Sequence, residues 1–530
     1  MLAVLAVIVI AAFVLIEGQW ALRRLSAGAR KMCNRILMGV LALSALAAVA
    51  TYVDFGVFRY GTYLNEWDFY HYYVGSKYAP ELGYTNLYGA TLAADAETGL
   101  RYHGREVRDL ATAQTRDVRS VAAQADRYRQ RFSEARWRDF VADIAWFKVQ
   151  LPENRWSLVL ADHGYNGTPA WSFVVGGLVT RHLSVREPLG RWLMLMLDPV
   201  LLLSAAIVVA WSFGMRAALL MVVFIGTHYL LSWGHLKGAL LRTDFAMCSV
   251  LAVCFVKKGR HRLAGVLLGW AVLSRVFPAF LLVGPVVLLV DERIRHRRIN
   301  RSLLGLLAAS VGTIGVVVLA SCAYFGGTAI WHEWSSKITL HYVGGSDWDL
   351  GFRTIAEAKF LDGIPVRVAE FLARTWTQPE HLPKAIEFGV LGLLIVPALA
   401  FVRALDHHEA VAFGFVFVFL LGVATYYYYL ILCVPLLFFA SDLGKPQRAL
   451  GAAFMYLTGM AGYVLFSGWQ SMGDAWMPLR GWHQTFPTYY YLSCLIAVTV
   501  AQMILLAATK ARALERGEPR PLPPGVQVNR

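Results

Sequence analysis

The sequence predicts an all-α protein that crosses a membrane many times. Of its 530 residues, 57% are hydrophobic and only 16% are charged, whereas a soluble domain has about 25% charged residues. The hydrophobic residues also form long runs, such as 36–53 and 303–320, and a helix needs about 20 apolar residues to cross the bilayer core. Composition and run length together exclude a soluble enzyme, a disordered protein and a fibrous protein.

The net charge of +15 fits the same class of protein. In a membrane protein, lysine and arginine gather in cytoplasmic loops. The positive charge therefore indicates which loops lie in the cytoplasm, and no nucleic-acid partner is predicted from it. The sequence has no Walker loop, no Rossmann glycine pattern and no His-Glu-x-x-His motif, which leaves ATP-driven transport and zinc protease activity without support. The six cysteines fit no disulfide or zinc-ligand spacing, and no metal site is predicted from them.

Residues 1–53 are predicted to form two transmembrane helices. The first apolar run, 2–16, has basic residues after it and none before it. This order is the reverse of a secretory signal and predicts an uncleaved anchor with its N-terminus outside. The run 36–53 then returns the chain to the outer face. The extracytoplasmic loop that follows, 54–189, holds 16 of the 35 carboxylates. The mixed charges of 105–148 are typical of amphipathic helices that lie against the membrane, and more often of a solvated helical cap.

Transmembrane helices are predicted to fill 190–325, and the apolar stretch 263–290 in this region is predicted to be a hairpin. Arg275 and Pro278 interrupt the stretch, and basic loops flank it on both sides. Both flanks are therefore expected in the cytoplasm, so that the chain enters and leaves the membrane by the same side. Each arm of about 13 residues reaches only about 20 Å, which predicts a short-armed hairpin with its apex at Arg275 and Pro278.

The rest of the chain repeats this organisation. A second extracytoplasmic loop, 326–385, precedes the C-terminal transmembrane helices of 386–508, which include a second short-armed hairpin, 411–440, with a tyrosine-rich apex at 425–429. The basic, proline-rich tail 509–530 is expected to be cytoplasmic and disordered. The whole pattern predicts about 13 crossings, with the N-terminus outside and the C-terminus inside.

A polar and aromatic cluster, Glu66 to Tyr73, follows the second predicted helix. Helical spacing places Asp68 and Tyr72 on one face. Aromatic surroundings raise the pKa of a carboxyl group, and a carboxylate of that kind suits general-base chemistry on a hydroxyl group. The alternative is an aromatic belt at the membrane interface, in which Asp68 only caps a helix.

Arg275 lies in an apolar stretch and therefore needs an anionic partner. An arginine at membrane depth costs at least about 2.5–3.5 kcal/mol unless it is paired or reaches water. A lipid-linked phosphate at the outer leaflet would meet that need, because a guanidinium group binds phosphate through two parallel hydrogen bonds. The alternative is an internal ion pair, for example with Asp198.

Further polar clusters are predicted at the same outer face. The first cluster holds His235 and Lys237, with Arg242 and Asp244 just beyond them, the second holds His341, Asp347 and Asp349, and the third holds Tyr426 and Tyr427. An Asp-x-Asp pair has the oxygen ligands that a divalent cation prefers, but this motif is more often part of a solvated loop, so no cofactor is predicted. The tyrosines are typical of either sugar stacking or interfacial anchoring.

Several motifs along the chain share one family pattern. They are Asp68-Phe69-x-x-Tyr72-Tyr73 with Gly83 and Leu87-Tyr88, then Asn166-Gly167-Thr168-Pro169, then Gly234-His235, and then the glycine-rich run from Ala264 to Arg275 and Pro278. Together they resemble the GT-C superfamily of integral membrane glycosyltransferases, most closely its bacterial polyprenol-phosphate-mannose-dependent mannosyltransferase branch. His235 stands where that branch often has glutamine, and residues 95–154 look like an insertion.

The resemblance implies a GT-C-like fold in the bacterial inner membrane and a sugar transfer on its extracytoplasmic, periplasmic side. The donor would be a polyprenyl-phosphate sugar, and the acceptor a hydroxyl group of a lipid-linked or cell-envelope glycan. Asp68 would be the catalytic base, and Arg275 with His235 and Lys237 would bind the donor phosphate. The residues expected to bind the sugar or the acceptor are Glu66, Tyr72, Tyr73, His341, Asp347, Tyr426 and Tyr427.

Two other functions remain open at this point. A transporter or flippase of a lipid-linked or small polar solute would need polar or broken helices at the membrane midplane, often in symmetric halves. The large outer loop and the outward bias of the polar residues argue against alternating access. A non-catalytic scaffold would leave Arg275 and the Asp68 cluster without a role. A monomer embedded in the bilayer is expected in each case.

Overall fold

A computed structural model describes residues 26–58, 61–99, 102–232, 236–344, 348–356, 382–472 and 487–516. The structure is 77% helical and has almost no sheet, so the predicted all-α class is confirmed. Within these ranges the strands form two small antiparallel pairs, Glu106–Arg108 with Thr115–Asp117 and Asp349–Leu350 with Ala424–Thr425.

Five helices are long and apolar enough to cross a membrane, which is consistent with a membrane protein. They are Ala27–Tyr52, Pro188–Phe213, Arg301–Phe325, Pro446–Ser467 and Thr488–Glu515. Less than half of each apolar window is buried inside the protein, so more than half of the residues in each window are at least partly exposed, as contact with lipid requires.

Shorter apolar helices pack among these five. They are Pro169–Thr180, Met215–Thr227, His261–Ser274, Phe388–Val402, His407–Leu421 and Tyr426–Ala440, and the buried helix Asp244–Lys257 lies beside them. Several are too short to span the roughly 30 Å core of a bilayer at 1.5 Å per residue. The count of 13 crossings stays a prediction.

The first hairpin region is broken where the sequence predicts an apex. The helix His261–Ser274 ends at Arg275, whose backbone is extended, and the chain continues through a 3-10 turn, Phe277–Leu282, into the helix Val283–His296. His261 Nε2 lies 3.0 Å from His407 Nδ1, and Glu292 Oε1 lies 4.0 Å from His407 Nε2. The two arms therefore begin and end at the same end of the helical bundle.

The second hairpin region has the same geometry. Its arms are the helices His407–Leu421 and Cys433–Ala440, joined through a 3-10 turn, Tyr426–Leu432. Arg448 bonds to Glu409 in the first arm and to the carbonyl oxygen of Phe438 in the second. The open ends of both hairpins thus meet at one end of the bundle, and both apices point to the other end.

Most of the 54–189 region folds into a separate small helical core. Its helices are Glu66–Phe69, Tyr70–Val74, Gly75–Lys77, Ala79–Leu82, Leu87–Glu97, Val118–Ala122, Ala125–Arg129, Glu134–Gln150 and Glu153–Val159. The longest of them, Glu134–Gln150, buries Trp137, Phe140, Ile144 and Phe147, and Phe147 packs edge-on against Tyr70. The apolar face of such a helix is predicted from the sequence to lie against the membrane. In Glu134–Gln150 that face is buried inside the protein, where it packs on the helices that follow Asp68.

Candidate functional site

The helix that carries Asp68 begins at a polar turn. The Asn65 side chain accepts a hydrogen bond from the backbone N–H of Asp68 at 3.2 Å, so Asn65 is the helix cap and Asp68 is free for another role. The helix then widens into a π-turn, Tyr70–Val74. Asp68 and Tyr72 share one face, since both contact Arg242 as described next.

Arg242 lies between Asp68 and Tyr72. Its Nε is 3.5 Å from Asp68 Oδ2, and its guanidinium carbon is 3.8 Å from the centre of the Tyr72 ring. The Asp198 carboxylate holds the backbone in place, because it accepts hydrogen bonds from the N–H groups of Arg242 at 2.8 Å and Thr243 at 2.9 Å. A cation stacked on an aromatic face is stabilised by the ring's negative charge density.

Arg275 reaches the same tyrosine from the apex of the first hairpin. Its Nη2 donates to the Tyr72 hydroxyl at 3.4 Å, and its Nη1 donates to the carbonyl oxygen of Ser274 at 2.6 Å. Asp244 accepts a hydrogen bond from the Ser274 hydroxyl at 2.8 Å and fixes this turn. The alternative ion pair between Arg275 and Asp198 is wrong, because Asp198 is occupied by the backbone of Arg242 and Thr243.

The second hairpin contributes two tyrosines. The guanidinium carbon of Arg242 lies 5.4 Å from the Tyr427 ring, and that of Arg275 lies 5.4 Å from the Tyr428 ring. The neighbouring Tyr426 belongs to a different stack, because its ring lies 5.1 Å from that of Tyr489 and nearly parallel to it. The site is therefore assembled from the Asp68 helix, the loop before Asp244 and the apices of both hairpins.

Several polar atoms of this site are buried without a hydrogen-bond partner. They are Oδ2 of Asp68, Nε and Nη1 of Arg242, and Nε of Arg275. Arg242 is 4% exposed and Arg275 is 7% exposed, whereas the Asp68 side chain is 16% exposed. Buried guanidinium groups need anionic partners, so the arrangement is suited to bind an anion next to a carboxylate.

Burial also sets the protonation of this region. It raises the pKa of Asp68, although the positive charges of Arg242, His71 and Arg275 act against the shift. Burial likewise raises the pKa of Glu66 to about 7. A carboxylate whose pKa is raised in this way is a stronger base than an exposed one, as general-base chemistry near neutral pH requires.

A second carboxylate lies behind the Asp68 helix. Asp162 accepts a hydrogen bond from the Trp67 indole at 2.7 Å and lies 3.9 Å from His71 Nε2. The His71 ring also contacts the Tyr88 hydroxyl at 2.9 Å. Burial would raise the pKa of Asp162, but the nearby His71 and the hydrogen bonds that Asp162 accepts from the backbone N–H of His163 and from the Trp67 indole lower it below its usual value.

Other residues that the sequence analysis singled out lie away from this cluster. Lys237 donates to Asp54 at 2.7 Å, and the Tyr73 hydroxyl accepts a hydrogen bond from Lys77 at 3.1 Å. Glu66 accepts a hydrogen bond from Thr62 at 3.3 Å. His235 and Asp347 lie outside the described residues, as does the side chain of His341. Asp349 accepts a hydrogen bond from Thr425 at 3.1 Å, which ties its loop to the second apex.

Two residues of the cluster were not chosen as site residues from the sequence. Arg242 stands in the sequence just before the apolar run that begins at Phe245, whereas Arg275 drew attention because it interrupts an apolar stretch. Tyr428 belongs to a run of four tyrosines, and only its contact with Arg275 distinguishes it from its neighbours. Among the described residues, no group of three or more His, Cys, Asp or Glu side chains is arranged to hold a metal ion.

The chain was compared with family models, curated proteins and solved structures, and none of these matches it.

Proposed function

We propose that this chain is an integral membrane glycosyltransferase. It moves a sugar from a polyprenyl-phosphate donor to a hydroxyl group of a lipid-linked or cell-envelope glycan. The observation that carries the proposal is a carboxylate, Asp68, close to two buried arginines, each with at least one guanidinium nitrogen that has no hydrogen-bond partner. A transferase with a lipid-phosphate donor needs a base for the acceptor hydroxyl and cations for the departing phosphate.

The proposed reaction uses each of these groups once. Asp68 takes the proton of the acceptor hydroxyl, and the acceptor oxygen forms a bond to the anomeric carbon of the sugar. The bond between that carbon and the phosphate oxygen breaks, and its electron pair stays on the phosphate. Arg242 and Arg275 stabilise the negative charge that develops there, because preorganised cations at a buried site act most strongly where charge appears.

The fold supports a site near a membrane surface. The open ends of both hairpins meet at one end of the bundle, and Arg275 and Tyr428 meet near the two apices at the other. A lipid phosphate is anchored by its chain and therefore approaches from within the bilayer. We propose that the apices face the extracytoplasmic, periplasmic side of the bacterial inner membrane, in a GT-C-like arrangement of about 13 helices.

A transfer assay tests the proposal. Purified protein is incubated with polyprenyl-phosphate hexoses and pentoses and with membrane glycolipids, and the products are identified by mass spectrometry. The wild type should produce a glycolipid heavier by one sugar, and Asp68→Asn should abolish this product. Asp126→Asn, at an exposed aspartate of the outer region, serves as the matched control and should keep full activity.

Two results would contradict the proposal. Wild-type turnover in Asp68→Asn would rule out the assignment of the base. No transfer from any lipid donor, together with solute uptake in vesicles, would replace the transferase with a transporter.

A further inference from the structure

The contact between Asp68 and Arg242 is an ion pair without a hydrogen bond. Asp68 Oδ2 lies 3.5 Å from Arg242 Nε, and both atoms are buried without a hydrogen-bond partner. Charge-assisted hydrogen bonds bring an N–H donor to about 2.7–2.9 Å from its oxygen acceptor. The pair is therefore loose, and an anion that offers shorter contacts can displace it.

Arg242 is held in place by contacts that leave two of its guanidinium nitrogens available to such an anion. Asp198 fixes its backbone, and its guanidinium group stacks on Tyr72 at 3.8 Å. The Nε that faces Asp68 is one of three guanidinium nitrogens in the site without a partner, together with Nη1 of the same residue and Nε of Arg275. An anion bound by both arginines would thus engage the nitrogen that now faces Asp68.

We propose that Asp68 and the donor phosphate share Arg242, and that donor binding releases Asp68 to act as the base. The inference rests on the proposed function and adds an order of events to it. Without donor, the ion pair with Arg242 makes Asp68 a weaker base than its burial alone would make it. The bound phosphodiester takes over Arg242 and places a negative charge beside Asp68, which makes the carboxylate a stronger base. The donor is therefore bound before the acceptor hydroxyl loses its proton.

The total negative charge that faces the two arginines stays close to two through this cycle. A sugar phosphodiester carries one negative charge, and ionised Asp68 carries another. After transfer, Asp68 holds the acceptor proton and is neutral, while the lipid phosphate monoester carries close to two negative charges. Arg242 then interacts with the phosphate and no longer with Asp68. It pairs with Asp68 again when the lipid phosphate leaves and Asp68 loses its proton.

Five charged or titratable side chains surround Asp68. His71 and Tyr72 come from its own helix and the π-turn that continues it, and Arg242, Arg275 and Asp162 come from other elements. Asp162 contacts Trp67 and His71. Replacing Asp162 therefore removes a nearby negative charge while the pair of Asp68 and Arg242 stays intact, and this makes it the matched control for Asp68.

Calorimetric binding of methyl farnesyl phosphate tests the inference. This phosphodiester keeps one negative charge at every pH used, so any pH dependence belongs to the protein. Asp68→Asn should bind it about 10-fold more tightly than the wild type, a typical size for coupling between two sites, and Asp162→Asn should not reach this gain. The wild type should bind more tightly as the pH falls through the pKa of Asp68, with uptake of up to one proton per ligand, and Asp68→Asn should lose both effects.

The possible failures are distinguishable. If all three proteins bind the probe equally and without proton uptake, Arg242 is not shared, and the proposed transferase activity is untouched. The same conclusion follows if Asp162→Asn tightens binding as much as Asp68→Asn does. If none of the proteins binds the probe at any pH, the phosphate site itself is wrong, and the proposed function fails with it.

Discussion

Gly238 lies against the carbonyl oxygen of Tyr63, and a β-carbon at this position would overlap that oxygen. The glycine has a positive φ of 66°, which favours glycine for a second reason. Its own carbonyl oxygen accepts a hydrogen bond from the backbone N–H of Asn65 at 2.9 Å. Two backbone contacts therefore tie the loop that leads to Arg242 to the turn that begins the Asp68 helix.

Gly238→Ala should separate these two segments and lower both stability and transfer activity. The matched control is Gly259→Ala, because Gly259 has a similar φ of 75° but no heavy atom within 4 Å of an added β-carbon. The control should lose about 1–2 kcal/mol through the left-handed backbone alone. Gly238→Ala should lose about 1–3 kcal/mol more through overpacking. Thermal unfolding in detergent measures the difference, and equal losses would show that the contact with Tyr63 is unimportant.

Asp198→Asn should weaken phosphate binding more than it weakens the fold. The carboxylate accepts bonds from two backbone N–H groups and from the Thr243 hydroxyl. An amide has one acceptor oxygen where the carboxylate has two, and a hydrogen bond to a charged group contributes about 1.5–3 kcal/mol. Arg242 then loses its fixed position, so the Kd for a phosphodiester should rise by about 10-fold or more. A change in unfolding temperature with an unchanged Kd would make Asp198 purely structural.

The buried pair of Lys77 and Asp143 should hold the outer region together. Lys77 Nζ lies 2.7 Å from Asp143 Oδ2, and the Asp143 side chain is fully buried. Removal of one partner from a buried ion pair costs about 3–5 kcal/mol when the other charge is left buried alone. Lys77 keeps a second partner, because its Nζ lies 2.9 Å from Asp139 Oδ2, so Asp143→Ala should cost less than this. The variant should lower the unfolding temperature of the region and make it easier to cleave with proteases.

The control for Asp143 is an exposed ion pair of the same region. Arg129 and Glu134 lie 3.4 Å apart at the surface, and such pairs contribute at most about 1 kcal/mol. Glu134→Ala should therefore change little. The double variant Lys77→Met, Asp143→Leu should recover part of the lost stability, since it also removes the buried charge of Lys77 and replaces the pair with apolar side chains.

Glu66 should make the protein less stable as the pH rises. Burial raises its pKa from 4.5 to about 7, so the folded protein holds this proton more tightly than the unfolded chain does. At pH 4 both states are protonated and the group has no effect. As the pH rises from 4.5 to 7, the unfolded chain loses its proton first, and the free energy of unfolding falls by up to about 3 kcal/mol.

Glu66→Gln should remove this pH dependence. The wild type and the variant are compared by thermal unfolding at pH 5, 6, 7 and 8. The variant should gain stability relative to the wild type as the pH rises, because only the wild type then carries a buried charge. Parallel curves for the two proteins would show that Glu66 keeps its ordinary pKa.

The sequence predicted the parts of the site that depend on local pattern. Arg275 stands out because a charge interrupts an apolar stretch, and the break of the helix at this residue follows from the same pattern. Asp68 and Tyr72 share a face because they are four residues apart. Tyr73 is one residue further along the helix, and the π-turn that begins at Tyr70 changes the direction of its side chain further. Tyr73 therefore contacts Lys77 instead of Arg242.

The parts that depend on long-range packing were not predictable in this way. Arg242 is 174 residues away from Asp68 in sequence, and no local signal indicates which of the chain's basic residues will meet that carboxylate. Lys237 shows the same difficulty, because its distance from Asp54 is set by the packing of two separate segments. The apolar face of Glu134–Gln150 is equally typical of a membrane surface and of a protein interior, and the buried partner Tyr70 decides between them.

The contact of Arg275 with Tyr72 and Tyr428 has a consequence for the newly made protein. A ribosome adds about 5–20 residues per second, so the 360 residues between Asp68 and Tyr428 take roughly 20 to 70 s to synthesise. Arg242 and Arg275 are made about halfway through that interval, when the second hairpin that completes their surroundings does not yet exist. The cluster around Arg242 and Arg275 is therefore incomplete in a nascent chain until most of its length has been made, and a protein truncated before the second apex would carry Asp68 without the tyrosines of that apex.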